Sequence, residues 1–288
     1  MTKIAEIVAK SKKPTFSVEL WPPRTPASAA KLEEALLELE KLHPTFTAIT
    51  YGAGGSTREK THELVLRIKR QTSIEPMAHL TTAAHKRSEL VAILERYRSA
   101  GIQNILALRG DPPLNGGAEL SVGELAHAID LVELARSVGD FSIAVAAHPE
   151  GHPDSPDLVA DRIMLARKLE LADMAITQFF FVADYYFKLV DDLERLGISK
   201  PILPGVMAPT SVKTLERMAL LSGARIPERV RERLYRADQS AETIKEIGVE
   251  IALELCDELL KRGAPGIHVY TMNEAVTTVE IYKGLGLG

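Results

Sequence analysis

The chain has 288 residues, of which 45% are hydrophobic and 26% charged, the proportions of a globular protein with enough apolar material for a sizeable core. A formal net charge of -4 leaves no basic excess to neutralise phosphates, which argues against nucleic-acid binding and toward a small-molecule partner. A single cysteine excludes an internal disulfide, and no run approaches the ~18 apolar residues of a membrane span.

The N-terminal stretch MTKIAEIVAKSKK is charged throughout and lacks the apolar core of a signal peptide, so a cytoplasmic protein is expected. The first strand is TFSVEL (15–20), in which Phe16, Val18 and Leu20 alternate with Ser17 and Glu19. It is stopped by Pro22-Pro23, which cannot donate to a sheet ladder. Glu19 therefore sits at a strand exit, either as an exposed carboxylate or as a functional one. Thr25-Pro26 supplies a cap and a first-turn proline for a helix carrying Leu32, Leu36, Leu39 and Leu42. After TAITY (47–51), Ser56 and Glu59 form a capping-box pattern. Further β-rich runs follow at 76–81 (PMAHLT), 104–110 (NILALRG), 142–147 (SIAVAA), 174–180 (MAITQFF), 201–207 (PILPGVM) and 266–272 (GIHVYTM), with helical periodicity between them. An extra helical segment is expected near 226–239. The last long helix carries Ile244, Ile247, Ile251, Leu255 and Leu259, with Cys256 as a packed core thiol.

Eight βα units without a linker or a Gly-rich dinucleotide turn predict one domain, 1–288, folded as a (β/α)8 TIM barrel. Barrel active sites lie at the carboxyl ends of the strands. The polar residues there are Glu19, Thr50, Tyr51, His79, Thr81, Arg109, Asp111, His148, Thr177 and Gln178. A carboxyl among Phe16, Leu20 and Trp21 would lose hydration, which favours the neutral acid and suits it to proton donation. Arg109-Gly110-Asp111 is also the adhesion tripeptide, of no use to a chain without an export signal. His148 and His152 could suggest a metal, but Pro149 and Gly151 break the helix that would align them; no metal is expected.

The strings VELWPPR, TAITYGAGG, AHLT, ALRGDPP, AAHPEGHP, AITQFFF, PGVM and HVYTMN, in this order along nearly the whole chain, resemble the methylenetetrahydrofolate reductase family. The resemblance implies reduction of 5,10-methylenetetrahydrofolate to 5-methyltetrahydrofolate by NADH or NADPH, usually through FAD. On matching positions, Glu19 resembles the acid that protonates N10, and Asp111 the aspartate beside the pterin and flavin rings. Gln178 and Thr50 resemble folate contacts. Thr50, Tyr51, His79, Arg109, Gly110, Asp111, His148, His152, Asp161 and Lys168 fall at flavin-contact positions. The chain departs from the flavin-containing pattern at Leu120 to Leu125, at His148 where tyrosine is common, at Val212 and at Glu274. These departures keep open direct hydride transfer from nicotinamide to pterin beside the FAD route, with weak or absent flavin expected. The nucleotide preference and a homo-oligomeric state also stay open. A Schiff-base aldolase barrel would need a lysine in a strand, and none is present in the eight; the non-enzyme alternative is a folate- or flavin-binding barrel without catalysis.

Overall fold

The computed structural model describes residues 3–52, 58–110, 123–237 and 240–287. Among these, the strands are β1 (Thr15–Leu20), β2 (Phe46–Ile49), β3 (Pro76–Thr81), β4 (Asn104–Leu108), β5 (Ser142–Ala147), β6 (Met174–Thr177), β7 (Ile202–Leu203), β8 (Gly205–Val206) and β9 (Gly266–Tyr270). The helices are α1 (Ile4–Lys10), α2 (Pro26–Glu40), α3 (Arg58–Gln71), α4 (Arg87–Ser99), α5 (Ala128–Val138), α6 (Leu158–Leu171), α7 (Ala183–Arg195), α8 (Val212–Ser222), α9 (Glu228–Ala237), α10 (Ala241–Lys261) and α11 (Ala275–Gly284).

Every strand pair is parallel, in the order β7-β6-β5-β4-β3-β2-β1-β9-β8. This is the (β/α)8 barrel expected from the sequence, with one difference. The seventh run, read as a single strand over 201–207, is split at Pro204: β7 pairs with β6 and β8 with β9. Proline brings no N–H to the ladder, and its carbonyl accepts from His268 N at 3.0 Å, so the two halves still close the barrel.

Period-two alternation sorts the strand residues into two layers. Phe16, Val18 and Leu20 of β1 and Ile267 and Val269 of β9 face outward into the core shared with the helices, where Leu32, Leu36, Leu39 and the buried Cys256 also pack. Phe46, Met77, Leu106, Ala144 and Met174 face inward and meet Ile4, Ala5 and Val8 of α1, which plugs the amino-terminal end of the barrel. The N–H groups of Ile4 and Ala5, orphaned at a helix start, donate to Asn104 Oδ1 (2.9 Å) and Ser142 Oγ (3.3 Å). At the start of α2, Thr25 and Ser28 cap each other as the Thr25-Pro26 signal implies; Ser56, the cap expected before α3, lies outside the described residues. A third apolar cluster joins Phe179 and Phe181 to α8, α9 and α10 beside the carboxyl-terminal mouth. No described helix is long and apolar enough to cross a membrane.

Candidate active site

Glu19 is one residue from the end of β1 and has the inward parity, so its carboxyl points into the carboxyl-terminal mouth, where the residue is 8% exposed. Its surroundings differ from those expected. Phe16 and Leu20 lie on the opposite face of the strand, and two imidazoles take their place: His79 Nε2 of β3 at 3.6 Å and His268 Nε2 of β9 at 4.0 Å, both from Oε2. The indole N–H of Trp21 makes a long contact of 3.4 Å to Oε1. Burial pushes His79 down to about 4, so at neutral pH its contact with Glu19 is no ion pair. The described residues bring no lysine or arginine nitrogen within 4.0 Å of the carboxyl.

His268 is fixed from behind, with Nδ1 at 2.9 Å from Ser17 Oγ and Phe46 stacked on its ring. Tyr270 closes the seam, donating its hydroxyl to Thr177 O at 2.6 Å; its ring sits where a Cβ on Gly205 would be, which requires glycine there. His79 Nε2, His268 Nε2 and Thr81 Oγ1 are buried without a hydrogen-bond partner. Buried polar atoms are rarely left so, and two of these three, the Nε2 atoms of His79 and His268, stand within 4.0 Å of Glu19 Oε2.

A second group lies on the loop after β5 and on α6. His148 and His152 meet edge to face at 4.6 Å, and burial drives both below the usual imidazole range, His148 to about 4. Asp161 is turned inward as a structural anchor, accepting from His152 N at 3.0 Å and from Arg162 Nη1 at 2.6 Å. Lys168 donates to Ala146 O at 3.1 Å, and burial lowers its pKa. Arg109, on the mouth rim, pairs with Asp154 at 2.8 Å. Glu150 accepts from Arg225 N at 3.1 Å and so ties this loop to the segment after α8; burial pushes its carboxyl up. Gln178 borders a small pocket with His148, Glu150 and Gly151, its Oε1 accepting from Phe179 N at 2.9 Å.

The structure thus brings Glu19, His79 and Thr81 to the mouth, and sets Gln178 beside the loop that bears His148 and His152. Thr50 binds through its backbone, its N–H donating to Leu20 O and its carbonyl accepting from Thr61 Oγ1, both at 3.0 Å. Tyr51 turns away from the mouth into the outer core, where its hydroxyl meets His85 Nε2 at 3.0 Å. Gly110 has φ 84, and a Cβ there would stand 2.9 Å from Thr81 Cβ, so the turn after β4 requires glycine. Asp111 and residues 120–122 lie outside the described residues.

Sequence reasoning missed His268 and Tyr270, although their parity with Ile267 and Val269 was a usable signal. It also missed Arg162, 4% exposed, whose guanidinium takes the carbonyls of His148 (2.9 Å) and Pro149 (2.7 Å).

Comparison with known proteins places these features. The family model described as methylenetetrahydrofolate reductase matches residues 3–286. The 5,10-methylenetetrahydrofolate reductase of Pectobacterium carotovorum subsp. carotovorum is 36% identical over 272 residues, 94% of this chain and 90% of that protein. Methylenetetrahydrofolate reductase (NADH) 1 of Arabidopsis thaliana is 38% identical over 285 residues, 94% of this chain but 48% of the plant protein. Among solved structures, a Clostridium thermocellum protein described as binding two copies of 5-methyl-5,6,7,8-tetrahydrofolic acid superposes with a TM-score of 0.67 at 16% identity, covering 99% of this chain and 97% of that one, a likeness of fold. With a family match from residue 3 to residue 286, the chain belongs to the methylenetetrahydrofolate reductase family.

Proposed function

We propose that this chain reduces 5,10-methylenetetrahydrofolate to 5-methyltetrahydrofolate with hydride from NADH, the donor in the name of the Arabidopsis relative, and that Glu19 is its acid. The observation that carries the reading is the Glu19 carboxyl at the mouth, flanked by the unpartnered Nε2 atoms of His79 and His268. The chemistry calls for such a group. A carbon held by two nitrogens is a poor hydride acceptor until one lets go, and an aryl amine leaves poorly until protonated. Glu19 gives its proton to N10, the ring opens to a 5-iminium cation, and hydride reaches the exocyclic carbon. Gln178 bonds the pterin. Asp111 supplies negative charge beside the cation. The folate reading also draws on the description of the C. thermocellum barrel as a binder of 5-methyl-5,6,7,8-tetrahydrofolic acid.

The residues present fit FAD in part. Arg109, His152 and Lys168 offer donors along one flank of the mouth, and His79 lines it, whereas the Tyr51 hydroxyl is committed to His85. Held there, FAD would supply a hydride relay between nicotinamide and folate; without it the two substrates must meet directly. The visible spectrum of purified protein separates the routes: flavin absorbance bleached by NADH and restored by folate means ping-pong kinetics, and no flavin absorbance means sequential kinetics.

Glu19→Gln tests the acid. The amide keeps size and polarity but cannot donate the proton, so folate binding is expected to persist while NADH oxidation falls by about a hundredfold or more. A variant within about threefold of the parent would remove Glu19 from the mechanism. Asp111→Asn is expected to lower turnover by about ten- to a thousandfold, the range for one electrostatic contact to a transition state; unchanged kinetics would dismiss it.

A further inference from the structure

We propose that Asn273 is a positioning residue for Glu19, acting through the backbone of Trp21; the inference rests on the reading of Glu19 as the acid. The last register pairs of β1 are Glu19 with Tyr270 and Leu20 with Ile49, so Trp21 lies beyond the ladder. The next two residues are prolines, which bring no N–H of their own. The chain would leave the strand there with its peptide groups free to swing. Instead the side-chain amide of Asn273 takes both groups of Trp21: Oδ1 accepts from Trp21 N at 2.8 Å, and Nδ2 donates to Trp21 O at 2.8 Å. A planar amide carries the donor and acceptor that such pairing needs, as a neighbouring strand would supply them.

One turn of chain holds both sides of the acid. Thr271 Oγ1 donates to Glu19 O at 2.7 Å and accepts from Asn273 N at 3.0 Å, so the backbone is gripped at Glu19 and again at Trp21. The grip also aims the indole, whose N–H reaches Glu19 Oε1. Trp21 is 39% exposed and so is not fixed by burial. The turn is held in a costly shape: Met272 has φ 53 and Asn273 φ 59, left-handed values that a methionine rarely adopts. Asparagine tolerates that region better than most residues, which accounts for its backbone but not for a side chain paired with a tryptophan 252 positions away.

The test uses the fact that Trp21 is the one tryptophan in the chain, so its emission reports this site alone. Asn273→Gly keeps the left-handed backbone and deletes the amide. It is expected to red-shift Trp21 emission, raise quenching by acrylamide, and lower kcat by about ten- to a hundredfold while folate Kd holds, as a misplaced catalytic group would. Asn273→Asp, a second variant in case the glycine fails to fold, retains the acceptor for Trp21 N and sets a carboxylate against Trp21 O; it should show the same effects. Met272→Gly relaxes the turn without touching the amide and should leave both readouts at parental values. Turnover within about threefold of the parent in Asn273→Gly overturns the proposal. So does a loss of turnover with unaltered Trp21 emission, since the effect would not pass through Trp21. Failure of the underlying reading looks different: Glu19→Gln would then keep parental turnover, and the clamp would stand or fall on Trp21 emission alone.

Discussion

Glu19 and Arg162 are both nearly buried charged-type residues, and they differ in what surrounds them. Around Glu19 the imidazole nitrogens are left open, whereas the two terminal nitrogens of Arg162 are filled and its Nε stands 3.7 Å from Asp192 Oδ2 without a hydrogen bond. Its guanidinium holds His148 O, Pro149 O and Asp161 Oδ2, and Asp161 in turn holds His152 N. The planar fork of arginine can take two carbonyls and a carboxylate at once, which the point charge of lysine cannot. Removing it strands a buried carboxylate, so Arg162→Met is expected to cost about 3–5 kcal/mol in urea unfolding. Adding Asp161→Asn should recover part of that loss, because the uncompensated charge disappears. A loss under about 1 kcal/mol would mean that water replaces the arginine and the loop is held elsewhere. The contrast also explains what the sequence discloses at this scale. The position of Glu19 is legible because strand parity and the Pro22-Pro23 stop put it at a barrel strand end. Arg162 and Asn273 work by gripping backbone carbonyls and amides 13 to 252 positions away, and a single sequence carries no trace of such pairs.

The elements fall into two kinds, those whose pattern is their own and those defined by a neighbour. Long periodic helices such as α10, and alternating strands such as β1, carry enough repeats to be read directly. Helix α1 has seven residues, of which Ile4, Ala5 and Val8 are buried, too short a stripe to separate from a charged tail. Its meaning comes from the barrel, whose amino-terminal end is otherwise open over Phe46, Met77 and Leu106. The split of the seventh strand is of the same sort: Pro204 announces a break in the ladder, but only the positions of β6 and β9 show that the chain pairs on both sides of it. Ile4 is wholly buried in the plug, and Ile4→Ala is expected to destabilise by about 2–4 kcal/mol through lost burial and the cavity left behind. The plug is at the far end of the barrel from Glu19, so KM for folate should stay at its parental value. A stability change under about 0.5 kcal/mol would show that α1 lies loosely on the barrel floor.

At the scale of the whole molecule, the order of the strand-end motifs made the barrel and its family legible, while the protonation of the interior did not follow from any motif. Burial holds three histidines near a pKa of about 4, against an ordinary 6.5: His62 behind β2, His79 at the mouth and His148 on the loop after β5. His85 and His152 are shifted the same way, again chiefly by burial. Each folded-state value lies below that of the unfolded chain, so between pH 6.5 and about 4 the unfolded chain binds more protons. The histidine contribution to stability is therefore whole above pH 6.5 and declines as the pH falls, each withheld proton adding a slope of up to about 1.4 kcal/mol per pH unit. Carboxylates held below their ordinary range, such as Asp154 beside Arg109 and Glu40 at Ser73, contribute only near and below the ordinary carboxylate values of 3.8 and 4.5. The window from pH 6.5 down to about 5 thus belongs to the histidines, offset in part by Glu150, whose burial-raised carboxyl takes its proton earlier in the folded chain than in the unfolded one. Urea unfolding at pH 7.5, 6.5, 5.5 and 5 is the measurement, with pH set by a constant-ionic-strength buffer. The expected curve is level between pH 7.5 and about 7 and falls steadily below that. His148→Gln, which removes one of the reluctant bases, should flatten the fall by about one proton's slope. Stability that stays constant down to pH 5 would mean that these imidazoles accept protons as readily inside the fold as outside it.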